Sequence, residues 1–380
     1  MRPIQPSAFQ YLLPQLVQSG ANTQTSGASG WTPGGGFSLQ IPDNTRIGGN
    51  PRGLGAVDLQ TQRTAATQVA SGSGSFVAGV NNTASGLQAV AMGNTNTASG
   101  AYSFAMGNNN TASGDWSTAM GVNSGAIGSR ATAMGASTAT NDYATAMGNS
   151  TASGQYSFAT GNGTASGQSS TSLGSSNASS LFSAAIGGST ASGGTGATAM
   201  GASTASGGYA TAMGQSTASG SYATACGYSL AAQIGKWTSS GGVFSAVGDA
   251  QTGMIVLRAS TTTNTTVVLT SNAGAAGTTN QLIVSSNQAM AFTGELIGKQ
   301  SGSANIAAYK IEGTLVNNAG TVTMPTGTLT LIGTDDITLD TAPTLAADNT
   351  NKGLTVTSGA KTTTNIRWVC TLRSTEVVYA

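Results

Sequence analysis

The chain has 380 residues, enough for more than one structural unit, but only 7% of them are charged against the roughly 25% usual in a globular domain. There is no histidine, the net charge is +1, and Cys226 and Cys370 form no CxxC pair. These features exclude Ser/His/Asp and Cys/His catalytic centres and cysteine metal clusters, and they argue against sequence-independent nucleic-acid binding. No apolar run reaches the roughly 18 residues needed to span a bilayer, so no membrane partner is expected.

Residues 1–30 contain a short apolar segment between prolines. Pro14 interrupts it, no cleavage site follows, and it therefore lacks the features of a signal peptide. We considered a disordered tail and a docking segment that becomes ordered on a partner, and we favour the second because apolar residues are placed in a tail without a core. The predicted anchoring residues are Phe9, Tyr11, Leu12, Leu13 and Leu16.

Residues 31–70 are predicted to form a β-rich cap. Phe37, Leu39 and Ile41 alternate with polar residues, as in a strand. The stretch from Gly55 to Ser71 then leads directly into a repeated sequence. A terminal unit that differs from the repeats prevents end-on association, which is the role we assign to this segment.

Residues 71–230 repeat two signatures, Ala-Met-Gly and Thr-Ala-Ser-Gly. From Gly79 to Gly227 the first signature recurs at intervals of 14, 14, 14, 14, 13, 13, 13, 13, 14, 13 and 13 residues. Such a period indicates an ordered array. The glycines predicted to allow tight turns with positive φ are Gly93, Gly107, Gly121, Gly135, Gly148, Gly161, Gly174, Gly187, Gly201, Gly214 and Gly227.

Each repeat is predicted to be one coil with two short strands and two turns. Coils stacked by parallel pairing at about 4.8 Å give roughly 50 Å of rod. In the strand after Tyr102, Phe104 and Met106 alternate with Ser103 and Ala105, so we expect the larger residues inside the coil. The predicted core of the roll and trimer is Met92, Met106, Met120, Met134, Met147, Leu173, Ile186, Met200 and Met213.

The face made of small alanine and serine residues also predicts self-association. Small residues let backbones approach closely, and Asp115, Arg130 and Asp142 are the only charged residues between 71 and 230. Burial on two sides explains this scarcity. A closed symmetric homotrimer is the simplest arrangement that gives each chain two neighbours.

The S-x-A-M-G and T-A-S-G units resemble the head repeats of trimeric autotransporter adhesins (YadA-like) over about 150 residues. The resemblance implies a trimeric, left-handed parallel β-roll, an arrangement that phage fibres also use. The lead-in from Gly55 to Gln60 and the C-terminal part are similar to fibre proteins of tailed bacteriophages. Those adhesins also carry a signal peptide, a coiled coil and a membrane barrel, which this sequence does not display.

Residues 231–245 change register and are predicted to be a junction. In residues 246–380 the repeat stops, charges return, and about eight β-branched or alternating runs are separated by Asn, Gly and Ser turns. That spacing predicts an antiparallel sandwich or jelly roll with its own core. The predicted fold class is therefore all-β, with an N-terminal anchor, a β-roll and a C-terminal β-sandwich.

Residues with catalytic or metal-binding chemistry are better explained as structural. Glu295 and Glu312 lie in predicted strands near Lys299 and Lys310, as in solvated charge pairs. The aspartates between 335 and 348 fail the calcium-loop pattern and suit turns. We therefore predict no enzyme activity, no cofactor and no metal site.

Three further positions carry expectations. Cys226 replaces the repeat methionine and is expected to be a small buried hydrophobe, and Trp368 is expected in the core. Aromatic residues near strand tips could contact glycans if they are exposed. These are Trp237, Phe244 and Tyr309.

The order of tail, repeat and C-terminal unit predicts a homotrimeric tail fibre of a bacteriophage. Residues 1–30 would attach to another virion protein, the repeats would act as a spacer, and residues 246–380 would form a distal domain that recognises a host glycan. The expected location is the virion, after synthesis in the host cytoplasm without secretion. The alternatives are a capsid head fibre, a bacterial trimeric adhesin and a virion glycan depolymerase.

Overall fold

The computed structural model describes residues 39–40 and 50–379, and these form strands, bridges and turns without a helix. No helix capable of crossing a membrane is therefore found in this part of the chain. The fold is all-β, as predicted. It divides into a first unit that ends at Ser179 and a second that begins at Ser180, and each is described separately.

The first unit contains a lead-in pair of strands followed by coils. In every coil a longer strand alternates with a two-residue strand. The strands are β1 Leu39–Gln40, β2 Val57–Gln62, β3 Phe76–Val80, β4 Thr83–Ala84, β5 Val90–Asn94, β6 Thr97–Ala98, β7 Phe104–Asn108, β8 Thr111–Ala112, β9 Thr118–Val122, β10 Gly125–Ala126, β11 Thr132–Met134, β12 Thr138–Ala139, β13 Thr145–Met147, β14 Thr151–Ala152, β15 Phe158–Thr160, β16 Thr164–Ala165, β17 Thr171–Leu173 and β18 Asn177–Ala178.

Equivalent residues of successive coils lie directly beside one another. All pairings between the coils of this unit are parallel: longer strands pair with longer strands, for example Met106 with Met120, and short strands with short strands, for example Ala112 with Ala98. The unit is thus a parallel β-solenoid in which the sequence period equals one turn. Register is fixed because a slip of one residue would turn every inward side chain outward.

A buried ionic cluster closes the lead-in. Asp58 is 1% exposed, accepts a hydrogen bond from Arg52 Nε at 2.9 Å and lies 3.5 Å from Arg63. Gln60 donates to the same carboxylate and, through Oε1, accepts from the backbone N–H of Asn82 in the first coil. Since a buried charge is stable only when paired, this cluster fixes the lead-in beneath the coils.

The second unit begins with further coils of the same construction. Their strands are β19 Ala184–Ile186, β20 Thr190–Ala191, β21 Thr198–Gly201, β22 Thr204–Ala205, β23 Thr211–Gly214, β24 Thr217–Ala218, β25 Thr224–Gly227, β26 Leu230–Ala231 and β27 Trp237–Ser240. The parallel ladders continue to β27, which pairs with β25. Residues 231–240, which the sequence places in a junction, therefore belong to the last coil.

The rest of the second unit is antiparallel and has two layers. A large sheet has the order β28–β35–β30–β31–β32, and a small sheet has the order β29–β34–β33. The strands are β28 Ala250–Thr261, β29 Leu282–Ile283, β30 Gln288–Gln300, β31 Ile306–Asn318, β32 Thr321–Leu331, β33 Thr344–Asp348, β34 Gly353–Thr357 and β35 Ile366–Val378.

One hydrophobic core joins these two layers. The large sheet contributes residues such as Leu257, Leu296 and Trp368, and the small-sheet side contributes Leu282 and Val356, all at most 1% exposed. Alternation along β28 and β35 places buried and exposed residues on opposite faces of the large sheet. The other face of the large sheet is therefore not covered by the small sheet.

A buried polar network links the last coil to the large sheet. Lys236 lies 2.7 Å from Glu376, and both side chains are at most 2% exposed. Gln251 and Gln288 donate to the second oxygen of Glu376 at 2.7 and 3.1 Å. Burial raises the pKa of Glu376, but Lys236 and the hydrogen bonds outweigh it and leave the pKa below its usual value.

Candidate self-association face of the coils

The interior of each coil is filled by alanine and serine, not by methionine. Ala105, Ala119 and Ala133 are 0% exposed, as are the alanines of the short strands, such as Ala112. The expectation that the methionines fill the coil interior is therefore wrong. Two facing strands joined by tight turns enclose space for little more than Cβ atoms, so the smaller residue of each alternating pair points inward.

The predicted core residues instead point out of the coil, on the face of the longer strands. Each is partly buried, except Ile186, which is more exposed at 37%. We call this surface the methionine face. Its residues are Val90, Met92, Phe104, Met106, Thr118, Met120, Thr132, Met134, Thr145, Met147, Phe158, Thr160, Thr171 and Leu173 in the first unit, and Ala184, Ile186, Thr198, Met200, Thr211, Met213, Thr224 and Cys226 in the second.

The short strands carry the opposite face, which is polar. Its residues are Thr83, Ser85, Thr97, Ser99, Thr111, Ser113, Thr138, Thr140, Thr151, Ser153, Thr164 and Ser166 in the first unit and Thr190, Ser192, Thr204, Ser206, Thr217 and Ser219 in the second. We call it the hydroxyl face. The longer-strand side of the coils thus carries methionine and other apolar side chains interspersed with threonine, whereas the short-strand side carries mainly hydroxyl groups, with Ile127, 50% exposed, as an apolar exception. A row of exposed apolar side chains of this kind indicates a site of association.

The predicted turn glycines all have positive φ, between 62° and 119°. At Gly107, with φ of 119°, a Cβ would also lie 2.0 Å from the carbonyl oxygen of Gly121 in the next coil. The glycine of the Thr-Ala-Ser-Gly signature is required for a different reason. Gly100 has ordinary φ, but a Cβ there would lie 2.0 Å from the Gly114 oxygen. Both glycines permit the close stacking of coils.

A buried asparagine column runs through the 14-residue coils of the first unit. It consists of Asn82, Asn96 and Asn110, each 0% exposed and three residues after a turn glycine. The Nδ2 of Asn96 donates to Asn82 Oδ1 at 3.0 Å, and Asn110 Nδ2 donates to Asn96 Oδ1 at 2.9 Å. Each amide also donates to two backbone carbonyl groups, which satisfies the longer turn.

Serine takes the equivalent place where this turn is one residue shorter. Ser137 and Ser150, two residues after their glycines, donate to the carbonyl oxygens of Met134 and Met147 at 2.9 and 3.0 Å. In these coils the carbonyl group is three residues back, within reach of a serine hydroxyl. Serine is not confined to the shorter turn, since Ser124, three residues after Gly121, donates to Met120 at 2.9 Å. The longer turn therefore carries asparagine or serine at this place.

The second turn of seven coils places an exposed aromatic residue in a conformation that favours glycine. These residues have φ between 55° and 60° and are 38–65% exposed: Tyr102, Trp116, Tyr143, Tyr156, Phe182, Tyr209 and Tyr222. The rings stack in pairs, with centroids 4.1 Å apart for Tyr102 and Trp116 and 4.8 Å for Tyr143 and Tyr156. The sequence analysis missed this feature, because bulky residues rarely adopt positive φ.

The other residues singled out in the sequence differ in their solvent exposure. Cys226 is on the methionine face and partly exposed, so its expected burial is wrong, and Tyr309 is 7% exposed and belongs to the core. Trp237 is 38% and Phe244 79% exposed, whereas Trp368 is fully buried as predicted. The predicted anchoring residues, Phe9, Tyr11, Leu12, Leu13 and Leu16, lie outside the described residues.

The acidic residues of the second unit make ordinary structural contacts. Glu312 pairs with Lys310 at 2.7 Å, with both side chains more than half exposed, and this pairing lowers the pKa of Glu312. Asp340 and Asp348 accept backbone hydrogen bonds in turns, from Thr362 and Thr350 among others. Among residues 39–40 and 50–379, no group of three or more metal-ligating side chains occurs.

The geometry of the coils agrees with a known repeat family. The YadA head domain repeat (2 copies) matches residues 70–96, 84–110, 98–124, 112–138 and 139–164. The coils of residues 70–164 match YadA-like head repeats. The matched residues make up about a quarter of the chain, and the β-solenoid of this part is consistent with a YadA-like β-roll. No curated protein sequence matches the chain significantly.

Proposed function

We propose that the protein is a homotrimeric structural fibre whose chains associate through the methionine face. The observation that carries the proposal is the two-sided coil: half-exposed methionine and aromatic side chains on one side, hydroxyl groups on the other. Domains of the YadA head type are typically homotrimeric, which supports self-association. A closed three-fold arrangement would cover this face on every chain.

The test is to place charges on one face at a time. Met106, Met120 and Met134 are replaced together by aspartate, and the mass in solution is measured by light scattering. We expect monomers, because three carboxylates per chain would be buried against one another.

The matched control adds the same charge to the hydroxyl face by replacing Thr97, Thr111 and Thr138 with aspartate. Those side chains also point out of the coil, so both variants keep the alanine interior intact. The control is expected to remain trimeric. A folded wild-type monomer, or trimers of the methionine variant, would overturn the proposal.

Within this class we propose a fibre of a tailed bacteriophage, located on the virion. The order of an apolar N-terminal segment, a repeat and an antiparallel C-terminal part with a hydrophobic core supports this, with residues 1–30 binding another virion protein. Attachment to the tail is our first proposal and attachment to the capsid head the alternative. Labelling of residues 1–30 on intact particles, followed by electron microscopy, distinguishes them.

We also propose that the protein acts by binding and not by catalysis, with a bacterial surface glycan as its ligand. Phe244, which is 79% exposed and lies outside the paired strands, is an aromatic group of the second unit that suits sugar contact. Binding to host cells that is lost in Phe244→Ala would support this. Loss of polysaccharide on incubation with the protein would instead indicate a depolymerase.

The YadA head match favours a bacterial trimeric adhesin as the second candidate. An adhesin would be found on the bacterial surface, whereas a fibre would co-purify with virus particles. Detection of the protein with an antibody in both fractions separates the two.

A further inference from the structure

The methionine face is continuous with one face of the large C-terminal sheet. Within the second unit, Thr224 pairs with Trp237 of the last coil, and Trp237 pairs with Met254 in β28. The row continues through Arg373 in β35 and Thr293 in β30. Because residues directly across a ladder point to the same side, these side chains share the side that carries Cys226. We call this side of the large sheet the outer sheet face.

The outer sheet face carries exposed apolar side chains among its polar and charged residues, and nothing in the described chain covers them. Met254 is 37% exposed, Val256 45%, Ile297 45% and Val369 42%. Ile297 and Val369 are direct cross-strand neighbours at the centre of the sheet. The small sheet packs on the opposite side, so these residues gain no burial from it. Clustered apolar side chains of this kind indicate an interface.

The same face carries charges of both signs. Glu295, Lys310 and Arg373 line a shallow depression of about 350 Å³ together with Thr371 and Ile332. Among residues 39–40 and 50–379, neither Glu295 nor Arg373 forms a salt bridge. An acid and a base without an ion-pair partner in their own chain can pair with the opposite charge of a second copy.

We propose that the outer sheet face is an interchain surface, and that its partner is the same face of a second copy of this chain. The inference rests on the proposed association through the methionine face, since that association would bring the continuous surface of each copy to the same axis. The C-terminal parts are then assembled together and not displayed as separate domains. Glu295 of one copy and Arg373 of another supply the two halves of an ion pair.

Cysteine crosslinking tests the association through the methionine face and the association through the outer sheet face separately. Cys226 lies on the methionine face, whereas Cys370 is buried and burial raises its thiol pKa to about 12, so Cys370 stays unreactive. The wild type is treated with a short bis-maleimide at pH 8.5, and covalent dimers through Cys226 are expected. Two variants then carry Val369→Cys or Ile297→Cys in a Cys226→Ser background. The matched control carries Thr350→Cys, an exposed position in the turn between β33 and β34 of the small sheet.

Covalent dimers from Val369→Cys or Ile297→Cys, but not from Thr350→Cys, are expected. If only the wild type is crosslinked, the outer sheet face is not an interface, and the association of the coils still stands. If the control is crosslinked as fast as the two variants, the reaction reflects random collision and the inference fails. If no protein is crosslinked, including the wild type, the proposed function itself is wrong.

Discussion

Replacement of Asn96 by alanine tests whether the asparagine column holds the 14-residue coils together beyond their strand pairing. The Asn96 side chain is fully buried and forms the equivalent of four hydrogen bonds: its two N–H groups are shared among Asn82, Met92 and Gly107, and its oxygen accepts two from Asn110. A net contribution of about 1 kcal/mol per bond gives a loss of about 4 kcal/mol. No water reaches the site from outside, since Asn96 is 0% exposed.

Ser137→Ala in a 13-residue coil is the matched control. The Ser137 hydroxyl makes one good hydrogen bond, to Met134 at 2.9 Å, and two longer ones at 3.2 and 3.3 Å. The expected loss is about 1–2 kcal/mol on the same basis. The difference of about 2–3 kcal/mol corresponds to a factor on the order of 100 in the equilibrium for local opening.

Native-state hydrogen exchange measures this difference coil by coil. Peptides spanning 82–110 should lose roughly 100-fold more protection in Asn96→Ala than peptides spanning 130–150 lose in Ser137→Ala. Asn96→Ser should fall between them, because Ser124 occupies the same place in a 14-residue coil and still reaches Met120 at 2.9 Å. Equal losses in the two alanine variants would refute the assigned role of the column.

Three further predictions concern the turns and the network around Glu376. In chemical denaturation, Gly100→Ala should lower the unfolding free energy by at least about 3 kcal/mol, because its Cβ would lie 2.0 Å from a carbonyl oxygen. Gly125→Ala, whose Cβ would have its nearest contact at 3.9 Å, should change it by less than about 1 kcal/mol. Tyr156→Gly should change the unfolding free energy by less than about 1 kcal/mol, since relief of the positive φ offsets the lost stacking on Tyr143. A loss above about 2 kcal/mol would show that the fold requires the ring. Because the pKa of Glu376 is lower in the folded protein, its contribution to stability is complete above the ordinary value of 4.5 and is lost as the pH falls through the folded value. Glu376→Gln should therefore be less stable at pH 7, and its thermal unfolding temperature should lack this loss at low pH. An unchanged loss at low pH would contradict the assignment.

The sequence predicts the coils well because their period is one turn of the chain. It fails on which face points inward, because alternation separates Ala105 from Met106 without saying which is buried. Comparison between coils contains the missing signal. The alanine position varies little, whereas the methionine position accepts Thr160, Leu173 and Cys226, as an outward position would.

Two features of the turns differ in how far the sequence reveals them. The spacing of the polar residue that satisfies the first turn can be read directly, since Asn96 stands three residues after its glycine and Ser137 two, although Ser124 shows that the spacing does not fix the residue type. The positive φ of Tyr102 and Trp116 cannot, because these residues disfavour that conformation and only the stacked coils impose it. The burial of Tyr309 likewise depends on long-range sheet pairing that local alternation does not specify.

The alanine interior has a consequence for how the gene can change. Coils of the same length offer their neighbours inward alanines, backbone carbonyl groups and turns at the same places, so removal of one such coil leaves matching surfaces above and below it. Recombination between these repeats would add or delete whole coils that already fit. The number of repeats is a trait that selection can adjust in single steps, without any new solution to packing.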